Sequence, residues 1–334
     1  MKAHKPDFGF LLSKLPHILS VILCATILAA CAPGARAQSL DQDARSLGFC
    51  FRVNGFDQDT VFGEPSGVAL DERAGLIYLA DSKFGRVYAL TLQGVPKTEY
   101  GPGKGLEAPI GLAVDKQGNL YVSESSGGPI KVIDSKGDVT KLDLPTTEGD
   151  AVPKPGRMVF DRDDNLYVVD RANCRVLILD KDRKLKLSVG GKGDKRGQFK
   201  ALWDVAVDRQ GRVYALDSEG TPVQVFDKKG KYIYKFGFRG DGEEEIMYPS
   251  GIFIDQNDQI WVVDRGRHAL KVFDRSGTFL RKLGAYGTDE GYLFQPADAE
   301  IDGLGRIYVA EAGARRLQVF SMSRPFEPFN PPGL

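Results

Sequence analysis

The stretch DVAVDRQGRVYALD, residues 204–217, decides the fold of this chain. An apolar run precedes the sequence Asp-Arg-Gln-Gly, which is typical of a tight turn. In that turn Asp208 can accept hydrogen bonds from backbone amides and Gly211 can adopt a positive φ. A second apolar run follows, with an aromatic residue, Tyr214, and then an acid, Asp217. The stretch therefore predicts two buried strands joined by a hairpin.

The same pattern occurs six times, with anchoring aspartates 44 to 47 residues apart. The aspartates are Asp71, Asp115, Asp161, Asp208, Asp255 and Asp302, and the later acids are Asp81, Glu124, Asp170, Asp217, Asp264 and Glu311. Two more short apolar segments complete each unit, at 222–226 and 232–236 in the fourth. Four-stranded units of this length bury both faces when they pack radially. The chain is therefore predicted to be all-β, a six-bladed β-propeller of four-stranded antiparallel blades.

The two ends of the repeated region are predicted to meet. Residues 49–56 resemble the fourth strand of a unit, which the last unit lacks after Phe320. The N-terminal strand should thus close the ring by pairing into the last blade. The propeller is predicted over residues 47–324, followed by a Pro-rich tail at 325–334. Cys50 and Cys174 then fall in opposite blades, too far apart for a disulfide.

The first 46 residues have the features of an export and anchoring segment. Lysines precede an apolar run of 13 residues, 18–30, which is shorter than the about 20 residues that cross a bilayer. Residues 1–30 are therefore predicted to be a signal peptide, and 31–46, small and polar, a flexible tether.

The end of the signal segment predicts how the chain is anchored. Leu28-Ala29-Ala30-Cys31 resembles the bacterial lipobox, in which the cysteine becomes the lipidated first residue. This predicts a lipoprotein on the bacterial outer membrane or a periplasm-facing membrane surface. Cleavage after Ala37 is the alternative, and it would give a secreted or periplasmic protein.

Several units resemble the NHL repeat. The resemblance rests on PSGVALD at 65–71, PIGLAVD at 109–115 and LYVVDRANCRV at 166–176, and it covers residues 47 to about 321. The segments 191–199 and 287–294 fit it too, with spaced glycines before an aromatic residue. The resemblance implies a six-bladed propeller, and members of the family include binding scaffolds, RNA-binding modules and a few enzymes.

Charge argues against nucleic acid as a ligand. The chain has 45 basic and 45 acidic side chains, and loss of residues 1–30 leaves 42 and 44. Nucleic-acid binders usually carry a clear basic excess. The six acids that end each pattern either form a cation site or cap loops and pair with an arginine such as Arg86, Arg175 or Arg316. Their recurrence in every unit favours the structural role.

A cluster of basic residues in the third and fourth units predicts a binding surface. Its members are Arg157, Arg171, Arg175, Lys192, Lys195 and Arg196. Acidic residues dominate the other blade junctions, so the loop face could steer an oppositely patterned envelope protein or peptide ligand. The alternative is a set of solvated loops of mixed sign.

Departures from the repeat predict a second candidate site, at the central channel. Arg157, Asp204 and Asp298 stand where other units have glycine, and Glu300 stands where the others have an apolar residue. Asp204, Asp298 and Glu300 could hold a Ca²⁺ or Mg²⁺ ion, as carboxylates do in sugar-lactonase-like propellers. A structural ion pair or a channel water is the alternative.

Histidine supply limits the enzymatic interpretations. After removal of the signal segment the chain keeps one histidine, His268, which disfavours the histidine-bound zinc of the peptide-amidating lyases of this family. No catalytic residues are predicted. The preferred function is a lipid-anchored scaffold that binds a protein or peptide, and the alternative is a divalent-metal-dependent hydrolase or lyase.

Overall fold

The computed structural model describes residues 48–322, which form six four-stranded antiparallel sheets. The strands of blades 1 to 3 are β2 Pro65–Asp71, β3 Leu76–Asp81, β4 Arg86–Thr91, β5 Pro96–Tyr100; β6 Pro109–Val114, β7 Leu120–Glu124, β8 Ile130–Ile133, β9 Val139–Leu142; β10 Pro155–Phe160, β11 Leu166–Asp170, β12 Arg175–Leu179 and β13 Leu185–Gly190. Those of blades 4 to 6 are β14 Leu202–Val207, β15 Val213–Asp217, β16 Val223–Phe226, β17 Tyr232–Phe236; β18 Pro249–Ile254, β19 Ile260–Asp264, β20 Ala269–Phe273, β21 Phe279–Leu283; β22 Pro296–Ile301, β23 Arg306–Glu311, β24 Arg316–Ser321 and β1 Gly48–Val53. A short 3-10 helix, Pro102–Lys104, lies between blades 1 and 2. The predicted six-bladed propeller is confirmed.

The ring closes as predicted. Strand β1 pairs antiparallel with β24, Phe51 lying opposite Val319, so the sheet order is β1-β24-β23-β22. The last blade thus combines strands from both ends of the propeller. Cys50 and Cys174 are free thiols. The signal, tether and lipidation predictions, and that of the Pro-rich tail, fall on residues outside the described range.

The core lies between blades, because each sheet packs both faces against its neighbours. One cluster joins Trp261 and Leu270 of blade 5 to Val309 of blade 6. The connections between blades also contribute apolar side chains that are fully buried: Phe62, Leu106, Phe199, Ile246 and Leu293. These side chains fill the gaps between neighbouring sheets and position the loops that carry them. No helix within residues 48–322 has the length and apolar character needed to cross a bilayer.

Candidate functional site

The propeller has two faces of different construction. The loop face carries the connections between blades and the turns from each second to each third strand. The hairpin face carries the turns from first to second and from third to fourth strands. The first described residue, Gly48, pairs with Ser321 at the hairpin face. The described chain therefore both begins and ends on the hairpin face.

On the loop face, the six recurring acids hold the connections between blades. Asp217 accepts hydrogen bonds from the amides of Lys200 and Ala201 at 2.8 and 3.0 Å, and Asp264 does the same for Met247 and Tyr248 at 3.0 Å each. All six acids are buried. These carboxylates accept hydrogen bonds from backbone amides, so they do not form a ring of free anions.

The cationic partners of these acids are only partly those expected from the sequence. Arg175 pairs with Asp170 at 3.1 Å and Arg316 with Glu311 at 2.8 Å. Arg86 does not pair with the acid of its own unit. It contacts Glu99 on the neighbouring strand, where both side chains are more accessible to water.

Two lysines replace arginine as the partner of a recurring acid. Lys131 pairs with Glu124 at 2.9 Å and Lys271 with Asp264 at 3.4 Å. Burial lowers the pKa of Lys271, although Asp264 opposes that shift. These lysines follow the acid by seven residues rather than five, and sequence reasoning missed them because it searched one spacing.

At the centre of the ring, Arg157 crosses the channel. This residue of blade 3 forms an ion pair with Asp298 of blade 6, and its Nη2 donates to the carbonyls of Ser66 and Ala297 at 2.7 and 3.0 Å. Its side chain is buried. Arg157 therefore closes the channel near the loop face, where its departure from the repeat placed it, and it is not part of the accessible basic surface to which the sequence also assigned it.

The two aspartates beside Arg157 link neighbouring inner strands. Asp298 accepts from the amide of Val68 in blade 1 at 2.9 Å, and Asp204 accepts from Ile252 in blade 5 at 2.9 Å. Both residues follow a β-bulge in the inner strand, a feature that redirects side chains. Burial raises the pKa of Asp204 to about 7 and also raises the pKa of Asp298, with Arg157 opposing both shifts.

Glu300 differs from these aspartates in having no cationic partner among the described residues. Its Oε1 accepts a 3.4 Å hydrogen bond from Ile301 next to it in the chain. Glu300 is half-buried. Its partial loss of solvation raises its pKa to about 8, and the nearby Asp298 and Asp204 contribute to the same shift. Glu300 lines a cavity of about 420 Å³ that extends from Arg157 towards the hairpin face.

The carboxylates predicted to bind a metal are near one another but already have other partners. Asp298 pairs with Arg157, and both oxygens of Asp204 accept backbone amides. Within the described range, no group of three or more His, Cys, Asp or Glu side chains is arranged to hold an ion. A divalent cation prefers six or more oxygen ligands, so these side chains do not fit a metal, and the arrangement is that of an internal ion pair.

The basic cluster predicted from the sequence divides into two parts. Arg175 is buried between Asp170 and Asp150, and Arg171 donates to the carbonyls of Glu124 and Ser125 at 3.2 and 2.7 Å. These two arginines stabilise loops, which their positions in the repeat could not reveal. By contrast, Lys192, Lys195 and Arg196 are exposed on the connection between blades 3 and 4.

The exposed part of the cluster borders a groove of about 440 Å³ on the loop face of blade 4. Five basic side chains line this groove against three acidic ones, and Phe238 at its edge is 72% exposed. The basic side chains are Lys195, Arg196, Lys200, Lys235 and Arg239. Asp217, one of the acids, is occupied by the amides of Lys200 and Ala201.

Sequence reasoning missed Phe238, Lys235 and Arg239 as parts of this groove. Arg239 donates to the carbonyls of Gly220 and Met247 at 3.1 and 2.9 Å, so it is fixed in the groove wall. The available signal was the aromatic residue at 238, which lies in a blade connection where the buried position is taken by Ile246. The Nδ1 of His268 accepts a 2.9 Å hydrogen bond from the amide of Gln295, and its ring packs on Tyr286.

Comparison with known proteins supports the fold. A family model, DUF5128, described as a 6-bladed beta-propeller, matches residues 208–271. No curated protein matches the chain in sequence.

Similar solved structures include a gluconolactonase from Xanthomonas campestris (18% identity, TM-score 0.60, covering 78% of this chain and 86% of that one). A virginiamycin B lyase from Staphylococcus aureus is also similar (15% identity, TM-score 0.59, covering 82% and 99%). A protein of unknown function from Bacteroides thetaiotaomicron has 17% identity and a TM-score of 0.61, covering 83% of this chain and 74% of its own. At these identities the likeness extends to the propeller fold alone.

Proposed function

We propose that this protein is a lipid-anchored, NHL-type propeller outside the cytoplasm, which holds an acidic segment of a protein or peptide partner on its loop face. The observation that carries the proposal is the basic groove of blade 4, with Phe238 exposed at its edge. Aromatic and arginine side chains are the residues most often found at the energetic centres of interfaces.

The chemistry of the groove favours an acidic partner. The ammonium groups of Lys195 and Lys200 and the guanidinium group of Arg196 are exposed, so they can steer an oppositely charged segment during encounter. Phe238 offers an apolar contact beside them. Arg239 is already fixed by backbone carbonyls, so part of the groove wall is organised before binding.

The position of the chain ends is consistent with this function. The described chain starts at Gly48 on the hairpin face, opposite the groove. A tether at residues 31–46 attached to a lipid on Cys31 would join the propeller on the face opposite the groove. The groove would then be free to meet other envelope proteins.

A metal-dependent hydrolase or lyase is the competing function. The gluconolactonase and the virginiamycin B lyase share the fold with this chain. Against this function, Asp298 is paired with Arg157 and the oxygens of Asp204 accept amides. The groove therefore supports binding better than the channel supports metal chemistry.

Site-specific photocrosslinking in cells tests the groove. A benzophenone amino acid replaces Phe238, and a second chain carries it at Ile233, an exposed residue of β17. We expect a discrete adduct at position 238 that is lost when Lys195→Glu and Arg196→Glu are combined. Reversal of Lys228 and Lys229, exposed in the same blade on the hairpin face, is the matched control and should leave the adduct unchanged.

Two results would contradict the proposal. One is the same set of adducts at positions 238 and 233, and the other is an adduct at 238 that survives the double reversal.

The anchor is tested separately, because Cys31→Ser should release the protein from membranes. A Cys31→Ser chain that is processed and stays membrane-bound would exclude the lipid tether while leaving the groove in place.

A further inference from the structure

The cavity below Arg157 opens on the hairpin face, opposite the groove. Its inner end is formed by Arg157, Asp204 and Asp298, and its mouth by exposed hairpin residues such as Arg162 and Arg209. Because Arg157 closes the other end, the cavity is a blind pocket with one entrance. Its volume of about 420 Å³ is within the range of small-molecule sites.

Apolar side chains form about half of the wall of this pocket, and charged side chains form most of the rest. Met158, Ile252 and Phe253 contribute to it, and Phe253 packs against Trp261 with ring centroids 5.5 Å apart. Apolar side chains of this kind bury the carbon body of a ligand. The pocket is thus suited to an organic molecule, and it is far larger than a single metal ion requires.

Glu300 is a carboxylate in this pocket for which the described residues supply no cationic partner. The inner strands of the other five blades place Ala69, Ala113, Val159, Ala206 and Phe253 at the same position. A carboxylate on such a wall costs free energy unless it has a partner. Among the described residues it has a weak bond to its chain neighbour alone.

When Glu300 is ionised, above its pKa of about 8, the charge inside the pocket has the sign that attracts cations. Glu300 lies close to Asp298, two residues earlier in the same inner strand, to Asp204 on the inner strand of blade 4 and to Glu72 at the mouth. Arg157 is the cation at the inner end and is already paired with Asp298. Arg162 and Arg209 lie at the mouth, where water screens them.

We propose that this pocket binds a small organic cation, whose ammonium group pairs with the Glu300 carboxylate while its carbon body contacts the apolar part of the wall. A metal ion is a poor occupant, because it needs several free oxygens and Asp204 and Asp298 have none to spare. An organic ammonium ion needs only one carboxylate to pair with and apolar side chains to contact its carbon body.

Calorimetric titration of the folded protein with choline near pH 9, where Glu300 is ionised, tests this proposal, with 3,3-dimethylbutan-1-ol, the uncharged carbon isostere, as the matched ligand. We expect saturable choline binding with a Kd of about 1 mM or tighter and none with the isostere. Glu300→Gln should weaken choline binding about tenfold or more, since it removes the charge and keeps the shape. Glu244→Gln, at an exposed loop-face carboxylate, should leave binding unchanged.

The proposal fails if choline shows no saturable heat at millimolar concentration, or if both ligands bind equally well. It also fails if Glu300→Gln and Glu244→Gln weaken binding to the same extent, or if millimolar Ca²⁺ displaces choline from the wild-type protein. Circular dichroism of each variant verifies that it is folded. The double reversal of Lys195 and Arg196 should not alter choline binding, so this result is independent of the groove.

Discussion

At the scale of single residues, Arg157 joins parts of the ring that are far apart in sequence. Its guanidinium group reaches from blade 3 to Asp298 in blade 6 and to the carbonyl of Ser66 in blade 1. A buried charge that loses its partner is costly, whereas the intact pair contributes little beyond its own desolvation. The contribution of the Arg157–Asp298 pair to the free energy of unfolding should therefore become measurable when one member of the pair is removed.

Replacement of Arg157 by methionine should lower the free energy of unfolding by about 3 to 5 kcal/mol, because Asp298 is left buried without its cation. Adding Asp298→Asn to the same chain should restore part of that loss. Urea denaturation followed by tryptophan fluorescence measures both changes. A single variant within about 1 kcal/mol of wild type would show that Arg157 does not hold the channel.

Glu300 should make stability depend on pH. Burial raises its pKa to about 8, so between about pH 4 and 8 the folded state binds more protons than the unfolded state. Through this group, wild-type stability falls as the pH rises across that window. Glu300→Gln removes the dependence, so the variant should exceed wild type by roughly 1 to 3 kcal/mol near pH 9 and match it near pH 5. Thermal melts at both pH values measure the difference, and a constant difference would contradict the assigned pKa.

At the scale of strands and loops, each blade uses the acid at the end of its second strand to hold the connection that precedes the blade. Asp217 accepts amides from Lys200 and Ala201 and also from Gly220 in its own turn, at 2.8 Å. A carboxylate that accepts several buried amides stabilises the loop it organises. The walls of the groove in blade 4 depend on this arrangement.

Asp217→Ala should lower the free energy of unfolding by about 2 to 3 kcal/mol, because the amides of Lys200 and Ala201 lose their acceptor. Asp227→Ala is the matched control, since Asp227 caps an exposed turn of the same blade through Lys229 and Lys231. That change should cost about 1 kcal/mol or less. Equal losses in the two variants would mean that the recurring acids do not differ from ordinary turn residues.

The sequence predicted elements better than side-chain directions. The pattern in blade 4 located all four strands to within two residues, because hydrophobic runs and turn residues are local signals. The sequence placed Arg157 both in the basic cluster and at the central channel without deciding between them, and it missed that Arg171 contacts the neighbouring blade. A repeat position assigns a residue to an element, but the carbonyls that these arginines contact belong to other blades.

At the scale of the whole molecule, closure of the ring joins both ends of the propeller in one blade. Without β1, strand β24 would present an unpaired edge, which destabilises a sheet and favours association. Closure also fixes the start of the described chain on the hairpin face. The sequence predicted this closure because the last unit lacks a fourth strand.

A chain that starts at residue 54 should therefore be much less stable and prone to aggregate, whereas one that starts at residue 43 should behave as the full chain does. Thermal melts and size-exclusion chromatography compare the two. Equal melting temperatures and a monomeric profile for both would mean that β1 does not close the ring.

The carboxylates at the middle of the propeller are engaged within the protein, which favours the proposed binding function over metal chemistry. Equilibrium dialysis against millimolar Ca²⁺ and Mg²⁺, followed by elemental analysis, tests this most directly, with Asp298→Asn combined with Glu300→Gln as the comparison. We predict no stoichiometric ion in either protein. One ion per wild-type chain that is lost in the double variant would contradict the account.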